Sequence, residues 1–320
     1  MADRLLILTW HNVDRTWCYP CAAGAGALGL AQQLRRLSRF ARVVPLRPAL
    51  DALRDGRRLP PRAIALTFDD GFRDNLEFAV PLLESLRLPA TFFLVPGMLS
   101  GEVSPWWEVI AWAFSQSTQA AVSWNGRLLP TRGRSGHRSV RWAIDQLKML
   151  DRTGRDRMVA ELVELLAPEG QPNDRSPMLD WNGARELVGR GFSIGSHSMY
   201  HAILSREPTD RQVQDLAAAR RQLETELGVP VELLAYPNGA RGDYDASTIQ
   251  AAKRAGYAYA FTVRAGYNVP STPDYEMRRV VMEPSRGLSE MVVRRIAGKL
   301  RRSWRDAPSA GFAHPPLDPV

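Results

Sequence analysis

Short apolar runs, rich in β-branched and aromatic residues, alternate along the chain with amphipathic stretches of helical period. The runs predict strands over Leu5–Trp10, 42–46, Ala63–Phe68, 90–95, 192–196, 232–236, 257–263 and 277–282. The amphipathic stretches predict helices over 28–40, 75–86, 211–227, 246–255 and 288–304. Strands that are apolar throughout suit a largely parallel sheet, whose two faces are both covered by other elements. The expectation is an α/β fold, open or closed into a barrel, with function gathered at the carboxyl ends of its strands.

One stretch breaks the rhythm. Between Pro96 and Asp180 the alternation stops: Pro105-Trp106-Trp107-Glu108 opens a helix and Trp124-Asn125-Gly126-Arg127 reads as a hairpin turn. Two further helices follow. This predicts a mainly helical insertion at about 97–180 inside a single domain over 1–303. The remaining residues, 304–320, are rich in Pro, Ala and Gly and read as a disordered tail.

Composition changes this picture little. The 320 residues are 45% hydrophobic and 24% charged, enough apolar surface for a packed core throughout. A net charge of +8 could draw nucleic acid, anionic lipid or acidic polysaccharide. The basic residues are spread out, however, with one concentration at Arg294, Arg295, Lys299, Arg301, Arg302 and Arg305 that reads as a solvated helix face. No nucleic-acid-binding module is recognisable, so no nucleic-acid partner is expected. Cys18 and Cys21 supply at most two zinc ligands, with no second pair to complete a structural site, and read as a reduced loop pair. The first residues lack a secretory h-region and no stretch nears the roughly 20 apolar residues of a membrane span. A cytoplasmic protein is expected. The stripe Leu288, Val292, Ile296 and Leu300 would suit peripheral contact with the inner membrane face, though packing on the barrel explains it as well.

Candidate chemistry sits at three strand ends. Ala63–Phe68 runs into Asp69-Asp70-Gly71, and two adjacent carboxylates are costly to desolvate unless a cation takes one of them. Alone, such a tripeptide is as often a plain turn. The strand 192–196 ends in His197-Ser198-Met199-Tyr200-His201, and imidazoles four residues apart can converge on one ion. One carboxylate and two imidazoles leave open positions for water, the mark of a catalytic site and not a closed structural one. The third strand end, Tyr236-Pro237-Asn238-Gly239, is a rigid turn able to present a backbone N–H to an oxyanion.

With these residues in place, the chain resembles the polysaccharide deacetylases, carbohydrate esterase family 4. Thr67-Phe68-Asp69-Asp70-Gly71 is similar to that family's first motif and His197-Ser198-x-x-His201 to its second. The resemblance spans about residues 6–282, apart from much of the insertion. It implies a distorted (β/α)7-type barrel. It implies Asp70, His197 and His201 as ligands of one divalent metal ion, usually Zn²⁺, and Asp69 as the general base. Tyr236-Pro237-Asn238-Gly239 matches a third motif, which would make Asn238 the oxyanion N–H and place Tyr236 at the substrate.

Two departures matter. Where the family has an arginine that steadies the base, this chain has Ala235; Arg279 is the first candidate to replace it, with Arg278 and Arg241 behind. The family's late general-acid histidine has no counterpart except His314 in the Pro-rich tail. His11 instead follows the first strand, similar to a permuted branch of the family in which the acid histidine comes first. The activity implied is hydrolysis of N-acetyl groups on amino sugars of a glycan. Hydrolysis of an O-acetyl ester or cyclic amide, or a non-catalytic carbohydrate-binding protein, stand as alternatives. Trp10, Trp17, Trp106, Trp107 and Tyr236 are candidates for a sugar platform.

Overall fold

The computed structural model describes residues 4–19, 24–171 and 178–284. Cys21, the helix expected over 288–304 with its basic cluster and apolar stripe, and the tail bearing His314 lie outside the described residues.

The strands are β1 (Leu5–Trp10), β2 (Arg42–Val43), β3 (Ala63–Phe68), β4 (Thr91–Leu94), β5 (Ala121–Trp124), β6 (Arg127–Pro130), β7 (Ser193–Ser196), β8 (Leu233–Ala235), β9 (Tyr259–Phe261), β10 (Tyr267–Asn268) and β11 (Val280–Val281). Nine of them form one sheet in the order β10-β1-β3-β4-β7-β8-β9, with β2 on β3 and β11 on β1. Its pairings are parallel except β1 with β10. Met277 pairs with Phe261 in β9 and Val280 pairs with Leu8 in β1, so the segment 277–282 bridges the strand at one end of that order to the strand next to its other end. The sheet therefore curls into the distorted (β/α)7 type.

Around it run α1 (Ala25–Phe40), α2 (Leu46–Arg54), α3 (Val80–Ser85), α4 (Pro96–Leu99), α5 (Trp106–Ser115), α6 (Gly133–Leu147), α7 (Arg152–Leu166), α8 (Trp181–Gly189), α9 (Thr209–Leu227) and α10 (Ala246–Arg254). Helices α5 to α7 and the β5–β6 hairpin share a core of their own built on Trp106, Trp107, Ile110, Phe114, Trp124, Leu147 and Leu162. The hairpin turns at Asn125 (φ +47°) and Gly126 (φ +71°), as a two-residue turn with both central residues left-handed requires. Among the described residues no helix is long and apolar enough to cross a membrane.

Strands β1 and β3 begin and end where the sequence predicts. Other elements differ. The strand expected over 42–46 stops at Val43, because Leu46, Ala49, Leu50 and Leu53 recur at helical spacing and form the buried face of α2. Burying each leucine contributes roughly 1.5–3 kcal/mol, more than two extra strand pairings would. The helix expected over 75–86 opens with a wide turn over Asn75–Ala79, since Pro81 has no N–H to donate to Glu77 and Val80 instead donates to Asn75. The strand expected over 277–282 reduces to Val280–Val281 and a single bridge at Met277.

The two faces of the sheet separate cleanly. Leu6, Leu8, Trp10, Ile64, Leu66, Phe68, Phe92 and Leu94 pack with the helices, while Leu5, Ile7, Ala63, Ala65, Phe93, Leu233, Ala235 and Phe261 pack with one another and with α2. Gly195 belongs to this interior by necessity: a Cβ there would stand 2.4 Å from the Phe93 ring. Period two carries the inner rows upward, from Leu5 and Ile7 through Thr9 to His11, and from Ala63 and Ala65 through Thr67 to Asp69.

Candidate metal centre and active site

Thr9 pairs with Thr67 in register, and Asp69 N–H donates to the Trp10 carbonyl at 2.8 Å, so His11 and Asp69 emerge side by side at the strand ends. The His11 Nε2 stands 3.9 Å from Asp69 Oδ2, facing it but beyond hydrogen-bond reach. Asn75 donates to the His11 carbonyl at 2.8 Å and holds that backbone.

Asp69 is fully enclosed and paired. Arg279 Nη1 donates to its Oδ1 at 2.7 Å and to Thr9 Oγ1 at 3.2 Å, while Arg279 Nε donates to the Thr262 carbonyl at 3.2 Å. Burial pushes the Asp69 carboxyl up, but the guanidinium, with His197 and His11, outweighs it and holds the group below the usual range. Of the three arginines left open by sequence, Arg279 is the one at Asp69. Arg241 is exposed, and Arg278 is half-buried with its backbone N–H on Asn268.

Directly after Asp69 the chain turns through Asp70 (φ +70°) and Gly71 (φ +81°), a left-handed pair that aspartate tolerates better than most residues. This swings Asp70 toward β7. Its Oδ1 lies 3.2 Å from His197 Nε2 and 3.3 Å from His201 Nε2. The three ligand atoms lie within 4.8 Å of one another, all buried. His197 Nδ1 sits 2.8 Å from the Ala235 carbonyl, where only an N–H can stand, and this leaves Nε2 as the nitrogen that faces Asp70 and can ligate an ion. Burial pulls His201 down to about 4, so its imidazole is neutral near pH 7. Burial raises the Asp70 carboxyl, but the two histidines reverse this and hold it well below the usual range. A buried, ionised oxygen that two imidazole nitrogens approach at 3.2 and 3.3 Å without a hydrogen bond of good geometry fits a divalent cation held by all three.

A narrow cleft opens on this cluster, lined by Asp70, His201, Asn238, Trp106, Trp107, Tyr19, Ile144 and Lys148. Asn238 (φ +58°) reaches it from the turn after β8, whereas Tyr236 does not. The Tyr236 side chain is buried against Tyr244, its hydroxyl donates to the Tyr275 carbonyl at 3.1 Å, and its N–H donates to Phe261. Tyr236 is a core residue, because strand alternation puts it with Leu234 on the helix side of the sheet while Ala235 between them faces the interior. Trp10 is likewise core, stacked on Phe68 with its Nε1–H on Gln33. Trp106 and Trp107 remain at the cleft, and Trp17 is partly exposed.

Four contributors had no signal in the sequence. Ile144 enters from α6 and Lys148 from the residue that caps its C-terminus, and Tyr19 is carried on a loop that Glu108 of α5 holds through Thr16 Oγ1 (2.8 Å) and Cys18 N–H (3.0 Å). Asp215 of α9 accepts the Met199 N–H at 2.8 Å, pinning the turn between the two histidines. These pairings cross from one element to another, so spacing along the chain does not reveal them.

The polysaccharide deacetylase family profile matches residues 56–260. Among solved structures, the chain is similar to the Streptococcus pyogenes deacetylase PplD in complex with acetate, at 15% identity and TM-score 0.61, covering 92% of this chain and 98% of that one. It is similar to IcaB from Ammonifex degensii at 20% identity and TM-score 0.57, covering 93% and 98%. A de-N-acetylase from Aggregatibacter actinomycetemcomitans aligns at 18% identity and TM-score 0.56, covering 92% and 100%. No curated protein sequence matches significantly.

Proposed function

Because the chain belongs to the polysaccharide deacetylase family, we propose that it removes N-acetyl groups from amino sugars of a glycan or glycan precursor, with one divalent ion, Zn²⁺, as cofactor. The observation that carries this reading is the meeting of Asp70, His197 and His201 at one buried point beside an Asp69 that Arg279 holds. Two proteins of similar fold are described as a de-N-acetylase and as a deacetylase holding acetate, which is the same chemistry.

Amide hydrolysis needs an activated water, a place for the oxyanion and a proton for the leaving amine. A cation held by Asp70, His197 and His201 would supply Lewis acidity to the acetyl carbonyl and to water. Asp69, held ionised by Arg279, accepts the proton of the attacking water. The Asn238 N–H, on the wall of the cleft, steadies the acetyl oxygen. His11, facing Asp69 at 3.9 Å, protonates the departing amine, and its burial makes it the readier donor once charged. Acetate and a free amino sugar leave. Trp106 and Trp107 offer an apolar wall for the sugar ring.

The test is mass spectrometry of N-acetylated and O-acetylated oligosaccharides incubated with Zn²⁺-loaded protein. Loss of acetyl from nitrogen, with acetate released in equal amount, is the expected result. Turnover confined to O-acetyl substrates would overturn the amide assignment.

A further inference from the structure

Two residues of the turn between His197 and His201 are left-handed without being glycine: Ser198 (φ +63°) and His201 itself (φ +51°). Each costs on the order of 1–2 kcal/mol, so the turn persists only if its surroundings over-determine it. Its middle is pinned by Gly97 N–H donating to the Met199 carbonyl and by Asp215 accepting the Met199 N–H. Its end is pinned from the helical insertion. Arg155, in the first turns of α7, donates from Nη1 to the His201 carbonyl at 3.0 Å.

The arginine is itself held. Its Nε and Nη2 donate to Asp156 Oδ1 at 3.0 and 2.9 Å, and its guanidinium lies 5.4 Å from the Trp106 ring centre. The neighbouring Trp107 packs on the His201 imidazole at 4.6 Å. Only 4% of Arg155 is exposed. An unbranched apolar side chain would fill this space against Trp106 without the cost of burying a charge. What it would lack is the bond to the His201 carbonyl.

We infer that Arg155 is a positioning residue for the metal centre: its bond to the His201 carbonyl fixes the peptide from which that imidazole reaches the cation, and Trp107 fixes the ring. The helical insertion thereby completes the Asp70–His197–His201 site and is not a removable cover. This rests on the metal reading given above. A histidine whose backbone is loose samples orientations in which Nε2 misses the ion, and supporting contacts of this kind set affinity by roughly 10–100-fold.

The experiment uses the full chain with Zn²⁺ as the probe, its dissociation constant measured by competition with a chromophoric chelator. Arg155→Met weakens Zn²⁺ binding by roughly 10–100-fold, Arg155→Lys by less, and excess Zn²⁺ restores most turnover. Rescue by the ion separates positioning from mere loss of packing, which added zinc does not repair. Zn²⁺ affinity in Arg155→Met within twofold of the parent overturns the inference, whatever the melting temperature does. Should Arg155→Met fail to fold, Asp156→Ala releases the guanidinium from an exposed position and must weaken Zn²⁺ severalfold; unchanged affinity there overturns it equally. A parent chain that binds no Zn²⁺ at all brings down the metal reading first, and is told apart by needing no variant.

Discussion

Arg279 and Asp69 form a fully buried ion pair at 2.7 Å although 210 residues of chain separate them. The pair joins the segment that bridges β9 and β1 to the end of β3, so one contact serves the curl of the sheet and the charge state of Asp69. Removing one partner of such a pair costs roughly 3–5 kcal/mol, because the other charge is left buried.

The pH dependence of that cost has a definite sign. A carboxyl held below its ordinary value contributes stability that is present above about pH 4 and is lost as pH falls through the depressed value. Arg279→Met should therefore be strongly destabilised at pH 7, and the gap to the parent should narrow toward pH 3. Denaturant melts at both pH values read this directly. A gap that stays constant would mean that Arg279 stabilises through packing on Phe93 and Phe261 alone.

Base and ligand are separable by substitution. Asp69→Asn should retain the divalent ion yet lose turnover by roughly 10²–10⁴-fold, since an amide cannot accept the proton. Elemental analysis beside initial rates gives the answer. If Asp70→Asn keeps the ion and Asp69→Asn loses it, the two roles are reversed.

The ligand set predicts one divalent ion per chain in the parent protein and a large loss in His197→Ala. Full occupancy in His197→Ala, measured after dialysis against a chelator, would sink the three-residue assignment.

His11→Ala should leave the ion bound and slow amide cleavage by roughly 10²–10⁴-fold. On an acetyl ester with a phenolate leaving group the loss should be much smaller, because a phenolate departs unprotonated. Equal losses on both substrates would make His11 structural.

Glu108 tests the insertion's hold on the cleft. Burial pushes its carboxyl from 4.5 to about 7, so between those values the folded chain binds a proton that the unfolded chain does not. Stability from this group is therefore greatest below about pH 4.5 and declines as pH rises to 7. Glu108→Gln removes that slope: it should be the less stable protein at pH 5, losing acceptor capacity toward Thr16 and Cys18, and should gain on the parent by pH 8. Parallel melting curves across the range would refute the assignment.

Local signals were enough for much of this protein. β1 and β3 are apolar runs closed by polar residues, the Asn125-Gly126 turn needs left-handed residues, and Asp69-Asp70-Gly71 and His197 to His201 each lie within five residues. Such features are set by neighbours in the chain, so composition and spacing carry them. The direction in which strand residues face is another matter. β1 and β3 are buried on both sides, so no polar alternation marks the inner row. Only the curl of the sheet decides that Thr9, His11 and Asp69 share the interior while Tyr236 turns to the helices. The same holds for Arg279 among three arginines and for Arg155 on the insertion. Each acts through a bond to a residue tens or hundreds of positions away, and such a bond exists only once packing has closed the intervening chain.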